Sequence, residues 1–146
     1  MNGRPGSALE RRVDPAGDRP AQVAARALRR MSEGFERKDL PGLLADFSDE
    51  GSVTYAGSET GELATGKPAL ETLLTTLLAR DVHYSFTFAD IRADTVGDTI
   101  WVVAEGTGRE SAMDGSAEDF PYRVCGLLVS EHQGYRWLVL NGGEPT

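Results

Sequence analysis

The 146 residues carry 15 Lys and Arg against 23 Asp and Glu, a formal charge of −8, with 40% apolar and 26% charged residues. That balance suits a globular chain with a single core, and no apolar run reaches the ~20 residues of a membrane-spanning helix. A lone cysteine, Cys125, excludes an intrachain disulfide and cysteine-based zinc motifs.

Charge is unevenly placed. Residues 1–38 hold nine bases and five acids, which leaves six bases and eighteen acids, a charge of −12, on the rest. An acidic body repels phosphate backbones, so nucleic acid is not an expected partner, and neither is a membrane. Arg4, Arg11 and Arg12 precede no apolar segment of the kind a secretory signal requires, and a cytoplasmic location is expected.

Residues 1–17 are rich in Gly, Pro and charge, with too little apolar content to offset the entropy of ordering, and are expected to form a disordered tail before a single domain over 18–146. Asp18 can cap a helix with Pro20 in its first turn, along which Ala24, Leu28, Met31 and Phe35 make one apolar stripe. A second, shorter helix is expected from Asp39, with Pro41 in its first turn and Leu40, Leu43, Leu44 and Phe47 on one face, stopping near Gly51. Residues 52–56 read as a short strand, and residues 57–66 as a loop with a brief extended stretch. Thr65 or Gly66 then caps a third helix bearing Leu70, Leu73, Leu74, Leu77 and Leu78.

From Val82 the apolar period becomes two. Tyr84, Phe86 and Phe88 alternate with polar residues up to a turn at residues 94–98. Strands are then expected over 99–107, 120–130 and 135–141, linked by short polar connections as an antiparallel meander. The middle strands are apolar on both faces: Trp101 and Val103 oppose Ile100, Val102 and Ala104, and Tyr122, Val124 and Leu128 oppose Cys125, Leu127 and Val129. The helices cover one face, and a second copy of the chain is the simplest cover for the other, which implies a homodimer through the sheet face.

The segments Phe35-Glu-Arg-Lys-Asp39-Leu, Leu43-Leu-Ala-Asp-Phe47, Thr65-Gly-Lys-Pro-Ala-Leu70 and Gly134-Tyr-Arg-Trp137 through Gly143-Glu-Pro145 resemble, in order and spacing, the SnoaL-like branch of the nuclear transport factor 2-like superfamily. The resemblance spans about Val23 to Pro145. It implies an α+β cone with N-terminal helices packed on a strongly curved antiparallel sheet, and frequent homodimerisation. Relatives often carry two histidines near the end of the last strand, where this chain has Val139 and Asn141. The superfamily includes polyketide cyclases, ketosteroid isomerase and epoxide hydrolases.

Chemistry-bearing residues are few. Neither histidine, His83 or His132, belongs to a metal-binding spacing, and no metal or cofactor is expected. Gly106-Thr-Gly108 lacks a third glycine and falls at a predicted strand end, which is no dinucleotide fingerprint. Cys125 is expected to pack in the core. Glu105 and Arg123 each interrupt an apolar strand: they form an inter-strand ion pair, or they act as general acid–base and as stabiliser of developing negative charge, with Asn141 orienting the ligand. Tyr55 and Tyr84 can donate hydroxyls, and Phe86, Trp101 and Trp137 can wall a pocket. The reading is a binding protein, or a cofactor-independent isomerase or cyclase, for a small hydrophobic polyketide-like molecule. The alternative is a non-catalytic dimeric module.

Overall fold

In the computed structural model, which describes residues 19–145, the stripe of Ala24, Leu28, Met31 and Phe35 is buried along helix α1, Arg19–Arg37. The expected tail and the Asp18 cap lie outside the described residues. Gly34 belongs to this buried face because a Cβ there would stand 2.6 Å from Cδ2 of Leu43, so its absence lets α2 (Leu40–Ala45) approach closely. The Asp39 carboxylate caps α2 by accepting from the Gly42 N–H at 3.0 Å.

Helix α2 ends at Ala45, earlier than the predicted stop near Gly51, because the chain leaves it to pair with the last strand. The Trp137 N–H donates to the Asp46 carbonyl and the Ser48 N–H to the Trp137 carbonyl, both at 2.8 Å. Strands β1 (Thr54–Ala56) and β2 (Leu63–Thr65) follow. Gly66, at φ 89°, then turns the chain into α3 (Lys67–Leu78), whose Leu70, Leu74 and Leu77 are buried. This positive φ favours a residue without Cβ.

The four long strands are β3 (Val82–Val96), β4 (Thr99–Ala112), β5 (Ala117–Glu131) and β6 (Gly134–Gly143). Sheet order is β2-β1-β6-β5-β4-β3, antiparallel throughout except for the parallel β1–β6 pair. The strands outrun their predicted ends. β3 continues through Asp94 and Thr95, leaving Gly97 and Asp98 as a two-residue turn, and β4 carries Gly106 and Gly108 in mid-strand, paired on both sides.

Two register shifts, between Phe88 and Asp90 in β3 and opposite Leu127–Leu128 in β6, help to curl the sheet, since an extra residue on one strand bends it and increases its twist. Gly106 sits at the first: a Cβ there would collide with the Thr87 carbonyl. The concave face contributes Ile100, Val102, Ala104, Val124, Leu128, Trp137 and Leu140 to one core with the helices. The outer face keeps Trp101 and Val103 more than a third exposed. Cys125 is also exposed there, not buried as expected, because in β5 it is the residues of the Tyr122–Val124 phase that turn inward. Among the described residues no helix is long and apolar enough to cross a membrane.

Candidate functional site

A cavity of 490 Å³ opens between the curled ends of β3, β4 and β5, the start of α3's exit loop and the β1–β2 loop. Strand register builds its wall in three rows on the concave face. Phe88, Gly106 and Tyr122 lie side by side, then Phe86, Gly108 and Phe120, then Tyr84, Glu110 and Glu118 nearest the strand ends. The two glycines leave space over β4 that the β3 backbone fills at Gly106 and a ring fills at Gly108. Phe120 occupies the position a Cβ of Gly108 would take, and the Phe86 and Tyr122 rings stand 4.6 Å apart between centroids. Phe35 of α1 meets Phe86 edge to face at 5.8 Å.

The polar side is organised by Arg80, just after α3. Its guanidinium donates to the Tyr84 hydroxyl at 3.2 Å, to Glu59 at 3.1 Å and to Glu62 at 3.3 Å, and its carbonyl accepts from Lys38 Nζ at 2.5 Å. The Tyr84 contact, then burial working in the opposite direction, then Glu59 set its proton affinity, which is raised overall. Glu62 folds over Gly57, where a Cβ would strike its carboxylate.

Tyr55 and Tyr122 complete the cavity. Burial, followed by the proximity of Tyr122 and Glu62, raises the Tyr55 phenol well above its ordinary value of 10.0, against a smaller opposing pull from the Arg80 guanidinium. Burial, with Glu62 and Glu144 nearby, pushes Tyr122 up to about 12. Both stay protonated at neutral pH. Neither hydroxyl makes a hydrogen bond among the described residues. Two hydroxyls on cavity-lining tyrosines are thus available to a ligand oxygen.

Of the residues singled out from sequence, Tyr55, Tyr84 and Phe86 line this cavity. Glu105 and Arg123 do not. Arg123 Nε donates to Glu105 at 2.6 Å across the β4–β5 pair, but on the outer face, where both side chains are about half exposed. The strand phase decides this, because Val102, Ala104 and Val124 take the inner positions. Trp101 is outward for the same reason. Asn141 faces outward opposite Cys125, since the extra residue in β6 inverts the alternation that Tyr135 and Trp137 set. Trp137 is buried in the core below the cavity. Glu105→Gln is therefore expected to leave ligand binding in the cavity unchanged and to cost about 0–1 kcal/mol of stability, as exposed ion pairs do, measured by calorimetric titration and urea unfolding.

Strand alternation missed Glu59, Glu62 and Arg80, which sit in loops, and passed over Tyr122 and Phe120. The paired aromatics Phe86 and Phe120 flanking a glycine were the available signal.

Both histidines serve structure. His83 Nδ1 lies 2.7 Å from the Glu36 carbonyl, tying β3 to α1, and His132 Nε2 lies 2.8 Å from Asp49. Asp49, Glu131 and His132 form a grouping of potential metal ligands, yet their atoms are already engaged: Asp49 with His132 and with Lys67 at 3.3 Å, Glu131 with the Ser48 hydroxyl and the Asp49 N–H. The Ser48 hydroxyl, ahead of other causes, holds Glu131 below its ordinary 4.5, and the His132 contact does the same for Asp49. A carboxyl whose pKa is lower in the folded state stabilises above its unfolded value and loses that contribution as pH falls through the folded one. Glu131→Gln is accordingly expected to flatten the acid limb of the stability profile below pH 4.5, followed by urea midpoints across pH.

A model of the SnoaL-like domain matches residues 25–139. The chain belongs to the SnoaL-like domain family. Its fold is shared with solved NTF2-like structures. A candidate dehydratase of the NTF2-like family from Streptomyces avermitilis superposes with a TM-score of 0.76 at 14% identity, covering 88% of this chain and 99% of that one. A candidate scytalone dehydratase from Novosphingobium aromaticivorans gives 0.73 at 12%, covering 86% and 84%. ActVI-ORFA from Streptomyces coelicolor gives 0.71 at 14%, covering 85% and 96%. No curated protein matches the chain. At such identities these likenesses establish the SnoaL-like cone and leave the reaction to the cavity's own residues.

Proposed function

We propose that this SnoaL-like protein binds a small, largely apolar, polyketide-like molecule in the 490 Å³ cavity and catalyses cofactor-independent proton transfer there, as an isomerase or cyclase. One observation carries the reading: Tyr55 and Tyr122, whose hydroxyls have no hydrogen-bond partner among the described residues, line one aromatic-walled cavity together with the carboxylate of Glu62. In this reading Glu62 removes a proton from carbon next to a ligand carbonyl. The C–H electron pair moves into the carbonyl, and the two phenols donate to the oxygen as its charge grows. Arg80 is a positioning residue that holds Glu62 and Tyr84. Glu62 then returns the proton to a second carbon, or the enolate carbon attacks a second carbonyl of the same molecule, whose π pair moves to its oxygen and takes the proton back from Glu62.

The test uses bicyclic ketones with exchangeable α-protons, such as 2-tetralone, in D₂O. Protein-dependent deuterium incorporation by NMR is expected, together with chemical-shift changes confined to the cavity. Absence of both would overturn the reading.

Self-association through the outer sheet face is also proposed. Trp101 lies opposite Leu127 in register, and Leu127 opposite Val139, which makes an apolar patch across three strands with Val103 beside it. Light scattering at micromolar concentration is expected to give a dimer mass, and a monomer there would remove this proposal.

A further inference from the structure

The cavity is more acidic than an apolar ligand needs. Six carboxylates and one guanidinium line it. Arg80 is committed to Glu59 and Glu62, and Asp119 to Arg109 at 2.8 and 3.1 Å. Glu110, Glu118 and Glu144 form no ion pair among the described residues. Glu110 and Glu118 are direct register partners on β4 and β5, on the concave side. Like charges placed opposite each other across strands repel and weaken the pair. Neither glutamate has an ion-pair partner among the described residues to offset the repulsion.

The next row inward is aromatic: Phe86 and Phe120 flank Gly108, and Tyr122 packs against both rings, at 4.6 Å from Phe86 and 5.9 Å from Phe120. Glu144 lies close enough to Tyr122 to disfavour its ionisation. Unpaired carboxylates one row outside a cluster of aromatic rings match the recognition of an organic cation, which is drawn by both carboxylate charge and ring faces. Tyr55, 6% exposed and with no hydroxyl partner among the described residues, lines the same cavity and supplies an independent sign that it takes a polar guest. The −12 charge of residues 39–146 favours the approach of a cation.

From this we infer that the ligand is cationic: an aromatic or polycyclic molecule bearing a protonated amine, its ring system against Phe86 and Tyr122 and its ammonium between Glu110 and Glu118. The inference rests on the cavity being a small-molecule site and adds the charge of what it holds.

Three ring-matched probes test it by calorimetric titration at pH 7: 2-naphthylmethylamine, 2-naphthalenemethanol and 2-naphthoate. The amine is expected to bind about tenfold more tightly than the alcohol, and the carboxylate more weakly than either. The amine's advantage should shrink between 20 mM and 500 mM salt, by screening at the mouth. In the Glu110→Gln/Glu118→Gln double variant the amine-to-alcohol affinity ratio is expected to fall to within about twofold of unity. Equal affinity of wild-type protein for amine and alcohol would overturn the cationic assignment while leaving the cavity a binding site. A ratio unchanged in the double variant would overturn the role of these two carboxylates. Failure of all three probes to bind would overturn both the inference and the proposed function.

Discussion

The double variant Tyr55→Phe/Tyr122→Phe is expected to lose about 10²–10³-fold in α-proton exchange on 2-tetralone, the cost typical of removing preorganised donors from a developing oxyanion. The loss should fall mainly on the catalytic rate, with the affinity for ketone changed little, because donors matched to an enolate contribute more to the transition state than to the ground state. Stability should not follow the rate. Neither hydroxyl bonds within the described protein, so exchanging Tyr for Phe removes no internal hydrogen bond. Urea midpoints at or above wild type, combined with the rate loss, would mark a catalytic role that simple destabilisation cannot mimic. Equal exchange rates in variant and wild type would remove both phenols from the mechanism.

The contrast between these tyrosines and the Glu105–Arg123 pair shows how far sequence carries. Period-two patterning located the long strands and left Glu105 and Arg123 either as an inter-strand ion pair or as site residues; they form the ion pair. It did not tell which face would be concave. That choice depends on the helices, whose stripe on Phe35, Leu43 and Leu74 selects the Val102–Ala104 phase of β4, and on one inserted residue in β6 that inverts Asn141 relative to Trp137. A bulge has no strong compositional mark, so a site assigned by counting along a strand fails beyond it. The helix stripes, the Gly66 cap and the meander were legible because each is a local property of a few residues. Arg80 and Glu62 were not, since they meet through a loop and a helix exit eighteen positions apart. The glycines of β4 were legible as a motif and misread as a strand end, although their role is to make room for Phe120 and for the close approach of β3.

Trp137 is where the curved sheet is most sensitive to substitution. It is 1% exposed, its backbone pairs with both Asp46 and Ser48, and its ring lies over Gly126, where a Cβ would come within 2.8 Å of Cζ3. Removing the ring should leave a cavity that a backbone tied to Asp46 and Ser48 closes poorly, and Trp137→Ala is expected to cost about 3–5 kcal/mol in urea unfolding. The ring also carries a defect. Its Nε1–H has no hydrogen-bond partner among the described residues, and an orphaned buried donor costs about 1–3 kcal/mol. Trp137→Phe keeps most of the apolar contact and deletes that donor, so the two effects oppose each other and the net change should stay within about 1–2 kcal/mol. The pair of variants separates packing from polarity at one position: a Phe variant as unstable as the Ala variant would mean that the indole N–H finds a partner after all, whereas a near-neutral Phe variant would place the stabilisation in ring volume alone.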